Sequence, residues 1–431
     1  MRITNTLLFL LIYRVGSFVV LPGVNYAALS NQKAKEGLVG LLNMFAGGSF
    51  SRASIFALGV MPYISASIVM QLLGIAVPYF AKMQKEGESG RNKINQWTRY
   101  LTIAITAPQA VAYLHSQITP DAIYPAMSAT AFVIMNTFVL TAGTLFVMWL
   151  GEKITDKGIG NGISLIIMVG IIAQLPSAFI VEFQSRTGGQ GGLITFIVEL
   201  VALIGVVMFT ILIVQGTRKV AVQYAKRIVG NKQYGGVRQY IPLKVTAAGV
   251  MPIIFAQALM FIPATFAGFF PSIASNSILI QLSNYNSVLH NVIFALLIIV
   301  FTFFYTAITI NPNQMADDMK KNSGFIPGVK PGQGTASYLD DIISKITLPG
   351  SIMLAIVAII PAIVSMLGVS SLFSRFFGGT SLIILVGVVL DTLQQIESHL
   401  LMRHYDGLMK TGRITGRTNI PTPEGTSSPV I

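Results

Sequence analysis

Residues Leu38 to Leu73 read LVGLLNMFAGGSFSRASIFALGVMPYISASIVMQLL: an apolar start, a small polar break and a second apolar run. The first piece, Leu38 to Phe50, is apolar enough to enter a bilayer, but at about 1.5 Å per residue it covers only about 20 Å of a roughly 30 Å hydrocarbon core. It cannot span. Gly47, Gly48, Ser49, Ser51 and Arg52 break the helix, and a second run from Ala53 to about Val77 is long enough to cross. A half-helix that enters the membrane and turns back survives only where protein or water satisfies its backbone. The stretch therefore predicts a re-entrant segment lodged in a cavity.

Working outward, the chain is 53% hydrophobic and 10% charged, with mean hydropathy +0.69. That composition belongs to a polytopic membrane protein. Apolar runs of spanning length fall at about 5–22, 53–77, 98–116, 127–150, 163–183, 193–215, 245–268, 290–311, 347–368 and 379–400, so the expected fold is all-α with ten spans. Arg14 interrupts the first run, which is read as a span and not as a signal peptide; its expected role is to pair with a polar neighbour and hold the bundle together. Thr102, Thr106, Pro108, Gln109 and His115 dilute the third, which is expected to face protein or water.

Lys and Arg set the orientation. Most of the 29 fall in segments that share one side with the N-terminus, so the positive-inside rule puts both termini in the cytoplasm. Two loops on that side are long. Gln215 to Lys244 interleaves Lys226, Arg227, Lys232 and Arg238 with tyrosines and predicts a projecting hairpin, turned at Gly235-Gly236, that meets ribosomal RNA or an acidic protein surface. Asn311 to Lys345 predicts a shaped tip around Lys330. The tail 402–431 is rich in Gly, Thr and Pro and is expected to be disordered.

GVMPYI at Gly59–Ile64 recurs as GVMPII at Gly249–Ile254, in spans two and seven. A five-span unit reverses its orientation on repetition, so the pair predicts two inverted halves around a midplane site, 1–192 and 193–401. Proline inside both spans is expected to kink them.

The chain lacks cysteine, a GxxxxGK[ST] loop, HExxH and any histidine cluster, which excludes thiol catalysis and makes ATP or metal hydrolysis a poor fit; no cofactor or metal is expected. Glu199, Asp391 and Glu397 are expected to cap spans or face protein. A secondary transporter for a small solute would also use inverted repeats, but no carboxylate is well placed for ion coupling. An intramembrane enzyme lacks a catalytic pair.

Five passages together resemble one family: SRASIFALGVMPYISASIVMQLL, KEGESGRNKINQWTRYL, MWLGEKITDKGIGNGISLII, FFYTAITINPNQMADDMKKNSGFIPGVKPGQGT and FGGTSLIILVGVVLDT. They are similar to the bacterial SecY family of protein-translocon subunits, from about Leu7 to Tyr405. The resemblance implies a channel in the bacterial inner membrane, passing unfolded secretory chains and releasing signal peptides and other apolar segments sideways into membrane lipids. It implies a plug at 38–50, including Asn43, Met44, Phe45, Gly47 and Gly48. It implies an aliphatic pore ring of Val60, Ile64, Ile167, Ile254 and Ile384, and polar gate contacts at Ser65, Gln109 and Thr246. It also implies SecE-like and SecG-like partner subunits, with the SecA ATPase or a translating ribosome docked on the loops 216–244 and 311–346. Lys330 stands where relatives commonly carry arginine, Asn231-Lys232 replaces a more basic pair, and Thr246 stands where many carry asparagine. The chain begins almost at span one, without the family's usual N-terminal segment.

Overall fold

The computed structural model describes residues 2–25, 43–118, 122–124, 128–188, 192–224, 227–229, 232–234, 238–246, 249–269, 277–284 and 286–411. Among them, ten helices of fifteen residues or more follow the ten expected spans. They are α1 Arg2–Gly16, α2 Met61–Ala76, α3 Glu88–Gln117, α4 Ala129–Lys157, α5 Gly162–Thr187, α6 Gly192–Gln215, α7 Met251–Phe269, α8 Val288–Thr309, α9 Gln333–Met366 and α10 Gly379–Thr411. Six of these, α4, α5, α6, α8, α9 and α10, are each apolar and long enough to cross a bilayer. The helix α2 joins them if it is counted together with the short helix Pro78–Lys85, which leaves it at 103° after Val77. The helix α3 is the most polar, and its Thr98, Thr102 and Thr106 are buried against protein, each hydroxyl donating to the carbonyl four residues earlier. This is the protein-facing arrangement its composition predicts.

The second span begins later than expected. Residues 46–60 form a run of turns, and α2 starts only at Met61. Two backbone positions explain the delay: Ala53 and Gly59 adopt φ of 47° and 53°, outside the right-handed helix. Proline completes it, because Pro62 has no N–H and fits at a helix start. Pro62 and Pro252 therefore begin α2 and α7, which corrects the expectation that these two prolines kink the spans from inside. The two copies of the motif share their geometry. Gly59 and Gly249 both have positive φ, 53° and 60°, and their N–H groups donate to Phe56 and Thr246 at 2.9 Å. The turns before α2 are buried in protein and tied to the chain after α1 through Leu21 N–H to Ala53 O (2.8 Å) and Ile55 N–H to Val19 O (2.9 Å). Irregular backbone at this depth is thus satisfied by protein.

The two long loops form one small unit. Strands β1 Thr217–Tyr224, β2 Arg227–Val229, β3 Lys232–Tyr234, β4 Arg238–Lys244 and β5 Gly324–Phe325 make a β4-β1-β5 sheet and a β2-β3 hairpin, all antiparallel. The expected hairpin is present in the β1–β4 register from Thr217↔Lys244 to Gln223↔Arg238, while its predicted Gly235-Gly236 turn lies outside the described residues. The β1–β5 pairing joins the loop before α7 to the loop before α9. Beneath it, Val220, Val222, Leu243, Met319, Ile326, Leu339 and Ile343 form a separate core. The second loop is shorter than expected because a helix occupies Pro312–Lys321 and α9 begins at Gln333. At the other end of the sequence α10 continues to Thr411, so 402–411 is helical; 412–431 lie outside the described residues.

Candidate functional site

The centre of the bundle is an apolar cluster drawn from several helices. Val60, Ile167 and Ile384 are buried in it, and Ile64 and Ile254 pack against it, so all five expected ring residues meet in one place. They come from the turn before α2 and from α2, α5, α7 and α10. Met44 and Phe45 of the expected plug belong to the same cluster. A small cavity lies among Phe45, Ile64, Ile167, Ile254 and Ile384, with Ser65, Gln257 and Thr380 as its polar lining. Its walls are aliphatic and aromatic, a surface that gives an ion no substitute for hydration water.

The segment expected to form the plug is partly described. Residues 43–45 are helical, 46–50 are turns, and 38–42 lie outside the described residues. The predicted helix break is real: Gly47 and Gly48 take φ of 62° and 86°, which a side chain would strain. Asn43 closes the turn by accepting from the Ser51 N–H and hydroxyl, both at 2.9 Å. Tyr113 of α3 donates to the Phe50 carbonyl at 2.7 Å and packs edge-on against the Phe50 ring.

The expected gate residues sit on three different elements. Ser65 lines the cavity, and its hydroxyl donates to its own helix at Met61 O, 3.2 Å. Gln109 is half-buried on α3, and Thr246 is buried in the turn before α7. Among the described residues no hydrogen bond links the three. The helices that carry them do adjoin, since α7 packs on α3. Of the docking residues, Arg238 and Lys330 are exposed. Lys330 lies two residues before Gly332, which caps the start of α9, and its carbonyl accepts from the Thr335 hydroxyl at 3.1 Å. Arg227 and Lys232 lie on the paired strands β2 and β3; Lys226 lies outside the described residues.

Three features escaped the sequence reading. Val250 packs against the central cluster at the position equivalent to Val60, a role the second motif copy could have signalled. Gln257, one turn beyond Ile254, is buried and lines the cavity. Glu199, expected as an ordinary cap or protein-facing group, belongs to a buried ionic cluster. Arg186 contacts Glu199 at 2.6 Å and donates to Glu182 at 2.8 Å and to the Gly368 carbonyl at 2.9 Å. Glu182 also accepts from the Ser370 N–H at 2.9 Å. The cluster ties α5, α6 and the segment after α9 into one unit.

The bundle has the fold of a protein-conducting channel. A solved structure described as "The structure of a protein conducting channel" aligns with a TM-score of 0.66 over 95% of this chain and 94% of that one, at 17% identity. Another, of the canine Sec61 ribosome-channel complex, gives 0.63 over 95% and 94%, at 16% identity. The SecY family model matches residues 54–393. Protein translocase subunit SecY of Streptomyces scabiei is 42% identical over 95% of this chain and 96% of its own length. The Thermotoga maritima protein of the same name is 38% identical over 96% of each. The chain belongs to the SecY family, and is accordingly a multi-pass membrane protein and a translocation-channel subunit, not an enzyme.

Proposed function

We propose that this chain forms the central pore of a bacterial inner-membrane protein-conducting channel, with Val60, Ile64, Ile167, Ile254 and Ile384 as its seal and the segment around Asn43–Phe50 as its plug. The observation that carries the reading is the cavity itself. Phe45 meets aliphatic side chains from α2, α5, α7 and α10 around one small apolar space. A polypeptide crossing hydrocarbon directly would leave its backbone polar groups unsatisfied, so it needs a path through protein. A collar of aliphatic side chains closes that path to ions and yields to a chain without binding it.

Sideways release follows from the same position. The cavity is bounded on one side by Ser65 of α2 and on the other by Gln257 and Ala258 of α7. Parting these helices opens a route to lipid that an apolar segment of about 20 residues takes favourably and a polar one does not. Both termini face the cytoplasm in this reading, and so does the three-stranded unit with Arg238 and Lys330 exposed. That unit is the docking surface for a translating ribosome or the SecA ATPase, and SecE-like and SecG-like subunits complete the channel. The ribosome-bound Sec61 neighbour supports this assignment. Depletion of the chain in its host tests the function: uncleaved secretory precursors accumulate if the reading holds, and their normal export overturns it.

A further inference from the structure

The plug segment meets the bundle in two different ways. Met44 and Phe45 press side chains into the apolar cluster. Four side chains donate to its main chain, those of Arg14, Tyr113 and Gln174 from α1, α3 and α5 and that of Arg52 from the turns that follow it. Arg14 Nη1 and Arg52 Nη2 both reach the Gly47 carbonyl, at 2.8 and 2.9 Å. Gln174 Nε2 reaches the Asn43 carbonyl at 2.6 Å, and Tyr113 the Phe50 carbonyl at 2.7 Å. Both guanidinium groups also lie over the Phe18 ring, 4.9 and 4.3 Å from its centroid.

Backbone contact continues on α5. A Cβ on Gly170 would come within 2.7 Å of the Phe45 carbonyl and 3.1 Å of Gly47 N, and one on Gly47 within 3.1 Å of Gly170 Cα and 3.2 Å of Arg14 Nη1. The two glycines let main chain rest on main chain, which brings Gly47 O within reach of Arg14. Arg14 is half-buried on the first span, and among the described residues it makes no ion pair. A guanidinium there requires an acceptor, and the described one is the plug's carbonyl.

We infer that Arg14 is a positioning residue for closure: it holds the plug shut through the Gly47 carbonyl, supported by Arg52 and Gln174, an inference that rests on the plug reading above. Departure of the segment strips Arg14 of its acceptor, so the cation favours the closed position. Because every acceptor is main chain, the latch is indifferent to the plug's side chains, whereas the apolar contact depends on them.

The test uses the full-length chain with its partner subunits in lipid vesicles. Since the sequence has no cysteine, Ala46→Cys at a buried plug position gives a single reporter for a membrane-impermeant maleimide. Loss of a charge-assisted hydrogen bond in Arg14→Gln is expected to raise the labelling rate about tenfold, with Arg14→Lys intermediate and the melting temperature little changed. An Arg14→Gln rate equal to the parent's overturns the latch. If Arg14→Gln does not accumulate, Gln174→Leu removes the donor to Asn43 and is held to the same two outcomes. Ion conductance, measured on the same vesicles with the plug deleted, separates this inference from the reading beneath it. Leak on deletion without faster labelling in Arg14→Gln rejects the latch and keeps the plug. Faster labelling without leak on deletion keeps the latch as a contact and rejects the segment as a seal.

Discussion

The two copies of Gly-Val-Met-Pro are built alike and are used differently. In each, a glycine of positive φ closes a turn, methionine and proline open a helix, and an isoleucine one turn later faces the central cavity. What precedes them differs. Before Gly59 runs the proposed plug and a buried set of turns; before Gly249 runs β4, an edge strand of the three-stranded unit. In the proposed reading, one local device supplies two walls of the seal while its upstream sequence is free to become an occluding segment in one case and a docking platform in the other. On that proposal, two inverted halves can keep a symmetric collar and asymmetric attachments.

Breaking the upstream segments is expected to produce the largest effects, of two different kinds. Phe45→Ala removes a buried ring from the plug's seat, at a cost of about 3 kcal/mol to its docking, and ion leak through reconstituted channels rises. Leu243→Ala removes a comparably buried side chain from the core under β4, costing about 2 kcal/mol or more. It weakens ribosome or SecA binding, measured by co-sedimentation, and leaves the ion barrier intact. Leak from Leu243→Ala, or a silent Phe45→Ala, removes the distinction between the two upstream segments.

Smaller effects probe the equivalence of the motifs. Gly59→Ala and Gly249→Ala each force a side chain into the left-handed region, at about 1 kcal/mol apiece. Among the described residues neither added Cβ meets a close obstacle: the nearest atom to Gly59 is Ala46 Cβ at 3.7 Å, and none lies within 4 Å at Gly249. Equal falls in thermal stability sharpen the comparison, and a fall at only one site breaks it. Smallest of all, Ser65→Ala is expected to shift stability by less than about 0.5 kcal/mol, since its hydroxyl donates within its own helix. A large loss of translocation in that variant gives Ser65 a gate role beyond the one bond described.

Much of this was legible before any coordinates. Helix number followed from apolar length, the break at Gly47-Gly48 from residues that abandon a helix, and the protein-facing α3 from its threonines. The collar's members could be named only through the motif resemblance, because Ile64 or Ile167 alone reads as ordinary packing. Other features had no local signature. The turns at 53–60 look like membrane helix because their composition is apolar; it is Ala53 and Gly59 φ and the missing N–H of Pro62 that postpone α2. Strand β5 is two residues long, too short for any alternation to register. The ionic cluster around Arg186 has no local signature because Ser370 and Gly368, which complete it, are remote in sequence. Arg14 was recognisable as needing a partner, but its partner is a carbonyl, and main-chain acceptors leave no mark in a sequence.

The central claim is that a secretory chain passes through the collar. A photocrosslinking residue at Ile254, with a matched one at exposed Leu212 on α6, tests it directly when a secretory chain is stalled in transit. The account predicts capture of the chain from Ile254 and not from Leu212. Capture confined to Leu212 would contradict it.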